Sequence, residues 1–171
     1  MNLEMFNEKQ RREIEKGQKF GVDTSVYADP QYDETQMWQL REGLEQGVDV
    51  SLYKDPEFNW LQMKKIKEGL QNGLNVSVYA DPKYDWSQMV ALAEGLEKDL
   101  DVSIYANPEF NYAQMSEIRW GLEAGLDVSI YADPKYNDNQ MHVIREGLEE
   151  GLKKTRPAVQ LNKPTGKGLE R

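Results

Sequence analysis

Apolar residues recur along this chain with two nested periods. Within a stretch such as Met63, Ile66 and Leu70 they fall every three or four residues, the spacing that gathers them on one face of a helix. The whole stretch then repeats. Tyr27, Tyr53, Tyr79, Tyr105 and Tyr131 stand 26 residues apart, and each has a proline three residues on: Pro30, Pro56, Pro82, Pro108 and Pro134. Gln36, Gln62, Gln88, Gln114 and Gln140 keep the same step, each followed by Met. A fixed period in this range marks a solenoid or array of repeats.

Numbered from its tyrosine, the phrase reads Y-A-D-P-x-Y/F-D/N-x-x-Q-M-x-x-I/L-x-x-G-L-E-x-G-L-D-V-S-I. Position 7 is always Asp or Asn: Asn7, Asp33, Asn59, Asp85, Asn111 and Asn137. Gln follows three residues later, the arrangement of a capping box, so a helix is predicted to start at position 8. Gly47, Gly73, Gly125 and Gly151 at position 21 are expected to end it as left-handed C′ residues, with Asp99 once in their place. Glycine also occupies position 17, inside the helix, at Gly17, Gly43, Gly69, Gly95, Gly121 and Gly147. A mid-helix glycine costs about 1 kcal/mol against alanine. Close approach of the next repeat's backbone is the simplest shared reason.

The segment from the helix end to the proline, such as Asp127-Val128-Ser129-Ile130-Tyr131, opens with an N-cap residue and stops before Pro. A short second helix is expected. A short strand fits the β-prone Val-Ser-Ile-Tyr, and would make the array α/β. The predicted fold is therefore an all-α solenoid of six helical repeats, 1–26, 27–52, 53–78, 79–104, 105–130 and 131–152, followed by a basic tail at 153–171 that reads as disordered. One repeat buries too little apolar surface to fold alone, so neighbours must stack. Both ends read as solubilising caps: Arg11, Gln18 and Thr24 replace Met, Leu and Val in the first repeat, and Lys153, Lys154, Thr155 and Arg156 follow the last.

The phrase resembles tandem repeats of the QMxxIRxGLExGLDVSxYADPxF type found in uncharacterised proteins of Gram-positive bacteria and their mobile elements. The resemblance is closest over Tyr105–Val128 and Tyr131–Leu152 and departs in the polar first repeat. It implies no activity.

Charge changes the picture in one respect. The net charge is −9, but the tail carries +5, which leaves −14 on residues 1–152. An acidic body repels nucleic acid and attracts basic partners. The chain has no cysteine, no stretch long and apolar enough to span a membrane, and an N-terminus unlike a signal peptide, so a cytoplasmic protein is expected. No acid, base and nucleophile set can be assembled, so an enzyme is not expected, and neither is a cofactor. The paired acids Asp29/Asp33 and Asp81/Asp85 read as caps rather than metal ligands, and His142, the sole histidine, reads as a surface residue.

Function is then sought at positions that vary between repeats. Position 8 reads Glu8, Glu34, Trp60, Trp86, Tyr112 and Asp138. One turn on stands Trp38, and a further turn on Trp120 interrupts a row of Glu42, Glu68, Glu94 and Glu146. The expected contact surface is an aromatic ladder of Trp60, Trp86 and Tyr112, with Trp38 and Trp120 nearby and an acidic rim, for a basic protein or peptide. The packing alternative has these rings cover grooves between helices, although Glu34 and Asp138 fill that position in other repeats. A second functional reading is an acidic DNA mimic that inhibits a nucleic-acid-binding protein.

Overall fold

In a computed structural model, which describes residues 3–155, six α-helices alternate with six short 3-10 turns, with no strand among the described residues. The helices are α1 (Glu8–Phe20), α2 (Glu34–Glu45), α3 (Trp60–Gln71), α4 (Trp86–Leu96), α5 (Tyr112–Glu123) and α6 (Asp138–Thr155). Every one starts at position 8. The Asn or Asp before it accepts from backbone N–H groups of the first turn, and the Gln at position 10 accepts from the cap residue's own N–H, as in Asn59 and Gln62.

The α1, α2, α3 and α5 helices end in a left-handed glycine, and α4 ends at Asp99, which adopts φ 54. In α3 the N–H of Gly73 donates to the Leu70 carbonyl and that of Leu74 to the Gly69 carbonyl, which closes a Schellman turn. Gly151 departs from the expectation. It lies within α6, which runs on to Thr155. The residues that turn the chain elsewhere, Asp-Val-Ser, are replaced by Lys153, Lys154 and Thr155, and the two lysines are good helix formers. The basic segment expected as a tail at 153–171 thus begins inside a helix, and residues 156–171 lie outside the described residues.

The short segment is a single 3-10 turn in each interior repeat, as at Val102–Ile104. Asp101 Oδ1 accepts from the Ser103 N–H at 3.2 Å, so the cap seen in the sequence starts this turn. It forms no ladder because the chain then bends through Asn107 and Pro108 back to the next helix.

Consecutive helices pack in one row and run in the same direction. At their N-terminal ends Gln62 Nε2 donates to the carbonyls of Pro82 and Tyr84, just before α4. At their C-terminal ends Gln71 Nε2 donates to Gln46 Oε1 at 2.6 Å, and Lys98 pairs with Glu123 at 2.7 Å. The segments between helices return along one side of the row, and the core lies between the two layers. Its largest fully buried side chains are the five repeat tyrosines, with Met63, Ile66, Met89 and Leu92 beneath them.

Those tyrosines explain the helical glycines, and the expectation of a backbone approach is corrected. A Cβ on Gly95 would fall inside the Tyr105 hydroxyl and 2.7 Å from Val102 Cγ1, both side chains of the segment that returns from α4 to α5. Gly17, Gly43, Gly69 and Gly121 meet the equivalent tyrosine in the same way. The hydroxyls of Tyr27 and Tyr131 donate to the carbonyls of Glu13 and Glu117 at 3.1 Å, on the helix they press against.

The glutamine at position 10 does more than cap. Gln36, Gln62, Gln88 and Gln114 each tie two carbonyls of the following repeat to the start of their own helix. Gln62→Ala leaves the Asn59 N–H and the carbonyls of Pro82 and Tyr84 without their partner, and a loss of about 2–4 kcal/mol is expected. Gln140 makes only the cap, so Gln140→Ala should cost about 1 kcal/mol. Urea midpoints of the two variants check this.

Burial raises the pKa of all five repeat tyrosines, to about 12 for Tyr27 and Tyr131 and higher for Tyr53, Tyr79 and Tyr105. The unfolded chain releases these protons near pH 10, whereas the folded chain holds them. Their contribution to stability is therefore fully present below about pH 10 and is lost as pH rises through about 12. Phenolate absorbance from these five residues should rise together with the loss of helix signal on alkaline titration. Their ionisation below pH 11 in a chain that stays helical would contradict this burial.

Candidate functional site

Trp60, Trp86 and Tyr112 are the first residues of α3, α4 and α5, and the parallel stacking of these helices places all three along the N-terminal edge of the row. None belongs to the core. Trp60, Trp86, Tyr112, Trp38 and Trp120 are all between 38 and 44% exposed. Large aromatics left this open on helices whose buried faces are complete are the feature that a packing role explains least.

Trp38 and Trp120 stand apart from this edge. Trp38, on α2, opens onto a groove of about 290 Å³ against α1, lined by Lys9, Arg12, Lys16, Glu13 and Glu34. Its surroundings are mixed and partly basic rather than acidic. Trp120, on α5, is flanked by two guanidiniums, with Arg119 5.8 Å and Arg145 5.6 Å from its ring centroid. Contacts of that kind occupy the ring with the protein's own cations.

The rim of glutamates is also redrawn. Lys67, buried on α3, takes Glu42 of the preceding repeat. Arg119 Nη2 lies 3.0 Å from Glu94 Oε2, but off hydrogen-bond alignment, an ion pair without a hydrogen bond. Glu68 has Lys65 at 3.7 Å and Lys64 at 3.8 Å, and Glu146 has His142 Nε2 at 3.4 Å. Glu42 and Glu94 therefore link neighbouring repeats, whereas Glu68 and Glu146 have partners only on their own helices. The basic residues at position 15 form further links of this kind, Arg41 to Glu13 and Arg145 to Glu117, each at 2.8 Å. Burial works against the Glu13 carboxylate, but hydrogen bonds from Lys16 and Arg41 hold it below the ordinary range.

Acidic groups do flank the aromatic edge, in the turns that precede the helices. Asp55 and Asp81 accept from the backbone N–H of Glu57 and Lys83, at 2.9 and 3.0 Å. Asp85 caps α4 directly beside Trp86. These hydrogen bonds use one oxygen's lone pairs and leave the charge in place. The nearest cation to any of the three is Lys83 Nζ, 3.9 Å from Asp81. Asp29 and Asp33 likewise cap two different turns. The described residues hold no cluster of His, Asp and Glu arranged to ligate a metal ion.

A second exposed apolar row escaped the sequence reading. Leu52, Ile104 and Ile130 close the 3-10 turns at position 26 and are 39–52% exposed. The signal lay in the 3-10 geometry, which buries the first residue of the turn and turns the third outward.

Comparison of the chain with known protein families, with curated proteins and with solved structures finds no match in any of the three. No described helix is long and apolar enough to cross a membrane.

Proposed function

We propose that this protein is a non-catalytic, cytoplasmic repeat scaffold that holds a basic peptide or protein segment along the N-terminal edge of its helix row. The observation that carries this reading is the line of Trp60, Trp86 and Tyr112, half-open in three consecutive repeats and flanked by Asp55, Asp81 and Asp85. Trp and Tyr supply large contact area at small entropic cost and dominate binding hot spots. Carboxylates beside them, of which only Asp81 has a described cation within 4.0 Å, select Lys and Arg and reject acidic partners. Equivalent positions of stacked repeats recur at a regular step, which suits an extended ligand.

Excess negative charge over residues 1–152 also suits a mimic of DNA, which would act on the same basic partners by charge alone. The test is an array of Lys- and Arg-rich peptides, with and without aromatic residues, probed with the full chain at low and high salt. The scaffold reading expects selected peptides to contain apolar or aromatic residues and to stay bound as salt rises, because packing against rings is not screened. Binding by charge content alone, lost at high salt and displaced by duplex DNA, would favour the mimic and overturn the scaffold.

A further inference from the structure

The two ends of the helix row are built differently. A helix meets the preceding repeat through positions 11, 15 and 18, and the following repeat through positions 10, 13, 14 and 17. In α1 the backward positions are polar and exposed, Arg11, Glu15 and Gln18, so that end is closed to further stacking. The forward side of α6 is not. It carries Gln140, Ile144 and Gly147, the residue types found at these positions inside the array, and Val143, an apolar residue where the other repeats have Glu, Gln, Lys or Ala, is 68% exposed. No described atom lies within 4 Å of a Cβ placed on Gly147, whereas Gly17, Gly43, Gly69, Gly95 and Gly121 each face a tyrosine. Two open hollows flank this side, about 480 Å³ beside Gln140 and Val143 and about 400 Å³ beside Gly147 and Leu148.

We propose that the forward side of α6 is a docking face for the edge of another array of this repeat type, carried by a different protein and entering with a Tyr-Ala-Asp-Pro-x-aromatic return segment. The argument is continuity with the interior interfaces. There, the same side of each helix takes a tyrosine hydroxyl against its glycine, and one or two carbonyls on its glutamine amide. Gln140 makes only its cap, and Gly147 keeps the missing Cβ that has no use except to admit such a ring.

Charge selects the occupant further. Where position 15 is basic it pairs with an acid at position 13 or 16 of the preceding repeat, as Arg41 does with Glu13 and Lys67 with Glu42, Ala93 being the exception. On α6 the corresponding acid is Glu146, so the entering helix should offer Arg or Lys. A second copy of this chain offers Glu15, with Arg11 and Gln18 where apolar residues are needed, and stacking it head to tail is opposed by like charge and by burial of polar groups. That also prevents open-ended fibres of the kind a heterologous contact creates. Residues 156–171 contain no aromatic residue, so they cannot supply the ring.

The test uses the full chain and a fluorescent synthetic peptide of residues 127–137, Asp-Val-Ser-Ile-Tyr-Ala-Asp-Pro-Lys-Tyr-Asn, with binding read by anisotropy. Saturable binding is expected, lost when the peptide's Tyr131→Ala version is used. Gly147→Leu should weaken it by about tenfold or more through overpacking of the slot. That variant is expected to fold, because no described atom opposes the new side chain; a melting curve verifies it, and Gln140→Ala supplies a second lesion at the same face. Absence of binding, or binding unchanged in both folded variants, would overturn the proposal. So would a concentration-dependent dimer of the chain that Gly147→Leu dissociates, which would give the face to a second copy. Binding that appears only after deletion of residues 156–171 would assign it to the chain's own tail instead.

Discussion

Gly95→Ala is expected to destabilise the array by about 1–3 kcal/mol, whereas Gly147→Ala should leave it unchanged or stabilise it by up to about 1 kcal/mol. Both residues are glycines inside helices, at the same position of the same repeat. They differ in what faces them. The Cβ of an alanine at 95 meets a tyrosine ring that is fully buried and cannot swing aside, with Val102 closing the other flank. At 147 nothing described stands in the way, and only the gain in helix propensity remains. Thermal or urea unfolding of the two variants measures the difference. Adding Tyr105→Phe to Gly95→Ala removes the opposing hydroxyl, and the pair should be less destabilised than the sum of the single changes. Equal responses at 95 and 147 would show that the glycine pattern has nothing to do with the tyrosine.

Much of this architecture is written locally and is legible in the chain. Helix starts follow from Asn or Asp at position 7 with Gln at position 10, because a capping box involves only four consecutive residues. Helix ends follow from Gly at position 21 for the same reason, and Asp99 adopts the left-handed backbone as its place in the phrase implies. Contacts between repeats were harder to see. Gly95 and Tyr105 are only ten residues apart, but the chain reverses between them, and nothing in the spacing says that the ring turns back. The second use of Gln62 is hidden because its cap already accounts for it. Gly151 shows the limit of a local signal: a C′ glycine ends a helix only where the following residues lead the chain elsewhere.

The candidate site was legible in part. Exposure of Trp38, Trp60, Trp86, Tyr112 and Trp120 follows from their place on the outer helix face. Two members of the acidic rim, Glu42 and Glu94, are paired by Lys67 and Arg119, each 25 residues further along the chain. Such pairs depend on how one helix is set against the next, which the sequence of one repeat does not contain. Asp55, Asp81 and Asp85 read in the sequence as simple caps and yet keep their charge at the aromatic edge.

The most direct measurement of the central claim is peptide binding by the triple variant Trp60→Ala/Trp86→Ala/Tyr112→Ala, made alongside its melting curve. The three rings are about two-fifths exposed and lie outside the core cluster, so the variant should fold cooperatively with a modestly lowered melting temperature. Each hot-spot aromatic contributes about 2 kcal/mol or more to binding, so affinity for the basic peptides that the intact chain selects should fall by more than about a hundredfold. A triple variant that is folded and binds those peptides as tightly as the intact chain would contradict the account, and would leave the rings as cover for the grooves between helices.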